Sequence, residues 1–482
     1  MNTMSNESVS ATGRDQKASE HPVNQHAVNQ HAVAHSLKMP FVSTRGGSAP
    51  TSIDAALLAG LAPDGGLYVP AEIPQLDAQA LAAIGAGTLA DSAARVLMPY
   101  FVDSRLRDVL PALCARAYNF DAPLLAMRGT QDYVLELFHG PTAAFKDYAA
   151  RFLAECLAAL SVETSDAHTQ NAAGQAITTI LVATSGDTGA AVAGAFHRRP
   201  GFAVTILYPH GRVSPRQAHG LECWGDNVRT FRVAGSFDDC QRMAKAALSD
   251  SQLRAACALT SANSISLGRL LPQIAYYAHT AAAFFAAYGQ ALNLIIPTGN
   301  LGNAAAAYLA KRMGLPIGEI VLATNANDVL PRFFDGGDYA PEATKATLAN
   351  AMDVGAPSNF ERLRYWHRDD AQLRAALRAY AVDDATIRAT IAAAPNQHGI
   401  VACPHTACGL HRLQAIRSAG DTRPWAVVAT AHPAKFDSIV EPLIGRTVGL
   451  PPALAECLAQ PAHGETLAAD DAALRAKLMK GS

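Results

Sequence analysis

Three stretches of this chain share one grammar: an apolar, β-rich run, a glycine-bearing turn, then a helix of small residues. They are "ITTILVATSGDTGAAVAGAFHRRPG" from residue 177, "LNLIIPTGNLGNAAAAYLAKRMGLP" from residue 292 and "WAVVATAHPAKF" from residue 425. The first runs on into a further strand, "FAVTILYP", and the second into "EIVLATN". Strands alternating with helices at this spacing predict an α/β fold of parallel βαβ units with right-handed crossovers. If these strands share a sheet, their carboxyl ends open into one cleft, where ligands gather in open parallel sheets.

At 482 residues, 50% of them hydrophobic and 17% charged, the chain buries a large core and divides into two or three domains. A net charge of -2, with no long Lys/Arg run, argues against nucleic acid as a partner. Eight cysteines scattered through apolar contexts fit buried thiols in a reducing cytoplasm. Cys403, His405, Cys408 and His411 lie close together, but their spacing matches no common zinc finger, and packing is the reading preferred over metal. No apolar run is long enough to span a bilayer and the start lacks a signal-peptide layout, so the expected location is the cytoplasm. Residues 1–38 are polar, with the short repeat "VNQHAVNQHAV", and read as a disordered tail. From Met39 the composition changes. "IDAALLAGLAPDGGLYVP" reads as a helix, a turn and a short strand, and helical patterns continue to about residue 117 with a break at Pro111.

The chemistry concentrates at a few strand ends. In "YVLELFHGPTAAFKDYAARFLAECL" a strand and a turn lead to Lys146, and Ala149, Phe152, Leu153, Cys156, Leu157 and Leu160 then follow the spacing of one buried helix face. A lysine at the positive end of a helix is biased toward its uncharged amine, which can form an imine with an aldehyde. Taken alone, the turn fits a solvated surface lysine better. "PTGNLGN" changes that balance. Gly299 and Gly302 permit positive φ and close backbone approach, and the polyalanine helix behind them offers free N–H groups to an anion. "TSGDTG" repeats the pattern with Ser185 and Thr188, and Asp187 reads as an ordinary helix cap. Thr430 places a hydroxyl at the end of a third strand. An amine, an anion cradle and a hydroxyl for a ring nitrogen are what pyridoxal phosphate needs. The second cradle suits a phosphorylated substrate.

In the order "STRGG", "GLAPDGGLYVP", "HGPTAAFKD", "ATSGDTG", "NVRTFRVAGSFDDCQ", "NSISLGRLLPQ", "PTGNLGNAAAAYLAKRMGLPI", "DVGAPSNFERL", "CPHTACG" and "ATAHPAKF", the chain resembles the threonine synthase family, in its longer form. The resemblance implies the two-lobed, tryptophan-synthase-β-like fold (fold type II) with an extra N-terminal segment. It implies the following boundaries: a tail over 1–38, a mostly helical domain over 39–130, the cofactor-lysine segment and smaller lobe over 131–270, and a larger lobe with the phosphate loop over 271–482. It implies pyridoxal 5'-phosphate as cofactor, held by Lys146, by Gly299, Asn300, Leu301, Gly302 and Asn303 around its phosphate, and by Thr430 at its ring nitrogen. Substrate contacts are expected from Ser185, Gly186, Asp187, Thr188 and Gly189, and from Asn263, Ser264 and Arg269. The implied reaction converts O-phosphohomoserine and water to L-threonine and phosphate, with Lys146 as the catalytic residue. A paralogous phospho-lyase or replacement enzyme on another phosphorylated or β-substituted amino acid, and a silent protein that kept the fold, are the other readings. The family commonly has "SIN" and an aromatic residue where this chain has Ser264 to Leu267, and Phe where it has Leu301. Tyr148 is also unusual for the family.

Overall fold

The computed structural model describes residues 37–161 and 177–480. The expected tail lies, except for its last two residues, outside them. A small antiparallel pair, β1 (Phe41–Ser43) with β2 (Tyr68–Pro70), opens the fold. Helices Ile53–Ala59, Leu89–Leu97 and Leu110–Ala117 belong to the same region. Pro111 falls in the first turn of the last helix, where its missing N–H costs nothing, so it starts a helix rather than breaking one.

Two parallel-type sheets carry the rest. The larger is built from β3 (Leu124–Ala126), β4 (Asp132–Glu136), β9 (Leu292–Pro297), β10 (Ile317–Thr324), β11 (Arg378–Ala381) and β12 (Trp425–Ala429), in the order β11-β10-β9-β12-β4-β3. Only β3 runs antiparallel to its neighbour. The smaller holds β5 (Thr178–Ala183), β6 (Phe202–Pro209), β7 (Val228–Ala234), β8 (Leu259–Ser261) and β13 (Gly464–Ala468), in the order β13-β7-β6-β5-β8 and parallel throughout.

The three strands that share one sequence grammar therefore do not share one sheet: β9 and β12 lie in the larger, β5 in the smaller. Nor do the sheets keep to a boundary at residue 270. β4, early in the chain, pairs with β12, and β13, near the end, pairs with β7. A parallel neighbour is reached through a crossover rather than a hairpin, which lets distant stretches of chain meet as adjacent strands.

β9 and β12 are buried along their whole length and, apart from Asn293, apolar, because helices cover both faces. Leu294 and Ile296 turn to one core while Ile295 turns to another, and Ala426 and Val428 alternate with Val427 in the same way. The first of these cores is shared. Ile180, Val182 and Ile206 of the smaller sheet enter it together with Phe101 and Phe152, so one continuous apolar mass joins the N-terminal helices to both sheets. Among the described residues no helix is long and apolar enough to cross a membrane.

Candidate active site

The order β9-β12-β4 brings three strand ends side by side. β4 leads through a turn to the helix Lys146–Ser161, which begins at the lysine. β12 ends one residue before Thr430, and β9 runs into the loop at Gly299. The Phe145 N–H donates to the Thr430 carbonyl at 2.9 Å, and the His432 N–H to Ala143 at 3.0 Å. Two further backbone bonds of sheet type thus fix Lys146 beside Thr430. The predicted helix face is buried at Ala149, Phe152, Leu153, Cys156, Leu157 and Leu160. Tyr148 belongs to that packing and not to the site. Its hydroxyl donates to the Asp121 carbonyl at 2.6 Å, and its ring lies 4.5 Å from that of Phe120 and 5.3 Å from that of Tyr276.

Burial pulls the Lys146 amine down to about 8, with Lys435 and Arg269 acting in the same direction and Asp187 opposing them. An amine so placed is neutral in about a tenth of molecules at pH 7 and about half at pH 8, far more than an ordinary lysine.

The loop after β9 departs from its expected conformation. Neither Gly299 nor Gly302 has positive φ; the left-handed residue is Leu301, at φ 63°. Gly299 is required for space instead, since a Cβ there would stand 2.7 Å from the Met352 Cα. Leu301 gives no side-chain cap to the helix Gly302–Arg312, which leaves that helix start to an external acceptor. The loop is pinned from outside. Asn300 Nδ2 donates to Ser264 Oγ at 2.7 Å, the Ser358 N–H donates to Asn300 Oδ1 at 2.6 Å, and Asn359 Nδ2 donates to the Asn300 carbonyl at 2.8 Å. Asn303 Oδ1 accepts from the hydroxyls of Tyr276 and Tyr277, both at 2.7 Å, while its buried Nδ2 has no partner. A Cβ on Gly302 would enter space bounded at 3.6–3.7 Å by Asn359, Gln273 and Ser264 polar atoms. An uncapped helix start, an orphaned buried donor and a space that a methyl group would fill are what a phosphate monoester requires, so these residues fit pyridoxal phosphate.

The smaller sheet contributes from β5 and its neighbour β8. After β5, Gly186 has φ 133° and the helix Asp187–Phe196 follows. The expected cradle is partly taken from within: Thr184 Oγ1 accepts the N–H groups of Gly186 and Gly189, each at 3.0 Å. Gly189 itself is packed tightly, because a Cβ there would lie 2.6 Å from Thr184 Cγ2 and 2.7 Å from Leu221 Cδ2. Asp187 is not a cap, since no side chain caps this helix. Its Oδ1 instead lies 2.7 Å from Lys435 Nζ, with both side chains buried. Burial raises the Asp187 carboxyl, but Lys435, Lys146 and His405 outweigh it and hold the group well below the usual carboxylate range. Ser185 and Thr188 are partly exposed on the same turn.

After β8 come Asn263, Ser264 and Arg269. Arg269 is buried, donates from Nη1 to the Ala262 carbonyl at 2.6 Å and leaves Nε without a partner; Asn263 Oδ1 is likewise unpartnered. Burial brings the guanidinium down to about 10, which leaves it a cation in want of an anion.

Sequence reasoning passed over several residues that the fold brings to this place. Lys435 lies within "ATAHPAKF", where a charge in an otherwise apolar run was the available signal. Gln217 links Asp187, at 3.3 Å, to Asn350, at 2.9 Å. His405 Nε2 accepts the Ala351 N–H at 3.1 Å, and burial holds its ring down to about 4. Arg362, fully buried, donates to the carbonyls of Tyr68 at 3.1 Å and Ile265 at 2.7 Å, so the N-terminal segment is tied to the Ser264 loop. Of the residues weighed as metal ligands, Cys403 caps the helix Pro404–Ser418 through Thr406 and Cys408 donates to the Pro404 carbonyl at 3.5 Å.

Comparison with known proteins agrees with this geometry. Residues 123–434 match the pyridoxal-phosphate dependent enzyme family, 40–118 the threonine synthase N terminus and 406–478 the threonine synthase C-terminal region. Threonine synthase of Escherichia coli K12 is 38% identical over 428 residues, covering 89% of this chain and 96% of that protein. That of Pseudomonas aeruginosa is 35% identical over 450 residues, covering 87% of this chain and 93% of that protein. The crystal structure of the E. coli protein matches with a TM-score of 0.84 at 37% identity over 92% of this chain and all of that one. A pyridoxal-phosphate-bound threonine synthase of Brucella melitensis matches at 0.82 with 34% identity, again over 92% of this chain and all of that one. With the strand-end lysine, the phosphate-sized cradle and these matches along nearly the whole described chain, the protein belongs to the threonine synthase family of pyridoxal-phosphate-dependent enzymes.

Proposed function

We propose that this chain converts O-phosphohomoserine and water to L-threonine and phosphate, with Lys146 as its catalytic residue. The observation that carries the reading is the convergence of β4, β12 and β9, which sets an amine biased toward neutrality beside Thr430 and an uncapped, donor-rich helix start. Pyridoxal phosphate, when bound, supplies an aldehyde for amines and a ring that accepts the electron pair released beside the substrate nitrogen.

The remaining work falls to the chain itself. Gly299, Asn300, Leu301, Gly302 and Asn303 hold the cofactor phosphate, and Thr430 offers a neutral hydroxyl to the ring nitrogen. Arg269, with its unpartnered Nε, takes an anionic end of the substrate, and Asn263 and Ser264 orient it. Ser185, Gly186, Asp187, Thr188 and Gly189 line the opposite side, with Asp187 kept from repelling a phosphate by Lys435. Lys146 Nζ takes protons in turn from the substrate Cα and Cβ as phosphate leaves Cγ, returns one to Cγ, takes one from the water that adds at Cβ and returns one to Cα, the remaining proton leaving with the phosphate. One amine that serves several proton transfers needs water excluded, which favours closing of the two lobes on substrate. The scatter of eight cysteines through apolar stretches of a long chain fits work in the cytoplasm.

Purified protein loaded with cofactor and given O-phosphohomoserine is expected to release threonine and phosphate in equal amounts. Phosphate released together with 2-oxobutyrate would overturn this reading in favour of a phospho-lyase.

A further inference from the structure

Lys435 and Asp187 form a buried ion pair beside the turn that leads to Lys146, and its bearing on that lysine goes beyond keeping a carboxylate from a phosphate. Lys435 stands in the short 3-10 turn Pro433–Phe436 that follows β12, in the larger sheet; Asp187 starts the helix after β5, in the smaller. The Nζ lies 2.7 Å from Asp187 Oδ1 and donates to the Thr142 carbonyl at 2.9 Å, within the turn that leads to Lys146. Ser214, which caps the helix Pro215–Glu222 carrying Gln217, donates to the Lys435 carbonyl at 2.8 Å. The pair thus bridges segments that follow strands of the two sheets, buried beside the turn that leads to Lys146.

Taking two charges out of water is costly unless geometry and added hydrogen bonds compensate, and a carboxylate left alone beside an amine would hold that amine protonated. We infer that Lys435 is a positioning residue of the reaction: it occupies the Asp187 carboxylate, so that Lys146 is left an amine free to take protons rather than one half of an ion pair. The inference rests on the assignment of Lys146 as the cofactor lysine.

The charged and titratable groups around this pair are Lys146, Asp147, Arg269, Cys403, His405, His432 and Cys457; burial raises the Cys403 thiol, and the contact with Cys223 lowers that of Cys457. His405 and His432 are both held down to about 4 by burial, so neither gains charge between pH 6 and 9. Arg269 stays charged over that range, and Asp147 is held by Thr142 through its N–H at 2.8 Å and its hydroxyl at 2.6 Å. In that window the balance at Lys146 turns on Asp187 and Lys435. Their effects oppose each other: Asp187 raises the amine and Lys435 lowers it.

The test reads the lysine rather than turnover. Cofactor-free protein is treated with formaldehyde and cyanoborohydride across pH 6 to 10, and methylation of Lys146 is followed by peptide mass spectrometry. The wild-type midpoint is expected at about 8. Lys435→Met is expected to move it up by about one unit, roughly tenfold less labelling on the acid side. Asp187→Asn is expected to move it down, and the double substitution to return it to the wild-type value. The pH profile of kcat in the loaded enzyme should follow the same order. If Lys435→Met fails to fold, the opposite shift in Asp187→Asn and its cancellation in the double variant still decide the matter. Midpoints that stay in place, or that move in the same direction in both single variants, overturn the inference. Borohydride reduction of the loaded wild type separates the two claims. Cofactor fixed on another lysine defeats the assignment of Lys146, whereas cofactor on Lys146 with unmoved midpoints defeats only the role of Lys435.

Discussion

The backbone N–H of Phe145 donates to the carbonyl of Thr430 at 2.9 Å, so the residue before Lys146 and the residue that follows β12 are joined directly, 285 positions apart in sequence. Lys146 is therefore placed by the larger sheet and not by its own turn.

Lys146→Ala is expected to lower threonine formation by at least about 10³-fold, in line with the loss of a positioned acid–base group. The helix it begins is held by the buried face from Ala149 to Leu160, so the thermal midpoint should stay within a few degrees of wild type. Phosphate and threonine release, with a melting curve on the same sample, check both halves.

Cofactor uptake should depend on pH through the same amine. Burial brings the folded amine down to about 8, below its value in the unfolded chain, so the neutral fraction grows as pH rises toward 8 and levels off above it. The rate of pyridoxal phosphate binding to cofactor-free protein, followed by visible absorbance, should rise up to tenfold per pH unit below that point and then flatten. The sign for stability is also set. Between about 8 and the unfolded value the unfolded chain binds more protons, so this group's contribution favours the folded state increasingly as pH rises.

Gly302→Ala separates cofactor binding from folding. The added Cβ meets protein atoms only at 3.6–3.7 Å, an ordinary contact, yet it fills the cradle. The variant should melt as wild type does and bind pyridoxal phosphate at least about tenfold more weakly, a loss of about 1.4 kcal/mol. Gly299→Ala should lose both, since its Cβ would stand 2.7 Å from backbone at Met352. Equilibrium dialysis and thermal melts distinguish the two cases.

Tyr148→Phe tests whether this unusual residue bears on substrate choice. Its hydroxyl bonds the Asp121 carbonyl at 2.6 Å within an aromatic core, so its loss should cost about 1 kcal/mol of stability. kcat/KM for O-phosphohomoserine should change by less than about twofold. A larger change, measured at saturating cofactor, would return Tyr148 to the site.

Arg269→Gln should raise KM for O-phosphohomoserine by about tenfold or more, the loss expected for a charge-assisted contact, with a smaller effect on kcat. Steady-state kinetics on phosphate release give the split.

Much of the site was legible because its parts are local. An apolar strand, a glycine turn and a small-residue helix start are contiguous in "LNLIIPTGNLGNAAAA", so both the strand and the cradle follow from one stretch. The reading erred where conformation depends on what lies opposite. Gly299 is small because Met352 packs against it, not because its φ is positive, and the left-handed residue is Leu301. Asp187 looked like a cap because its position in the segment suits one; its partner, Lys435, is 248 positions away.

By itself, then, the sequence determined the α/β class and the lysine at a strand end, since each is written in short runs whose periodicity and turn residues act locally, and the order of its motifs carried the resemblance to the family. Only the tertiary structure decided that β5 lies in a different sheet from β9 and β12. It alone decided that β4 and β12 pair to set Lys146 beside Thr430, and that Lys435 reaches across to Asp187. The reason is physical: parallel strands are joined by crossovers that leave no mark of who will neighbour whom, and a buried charge reveals its role only when the fold shows what neutralises it.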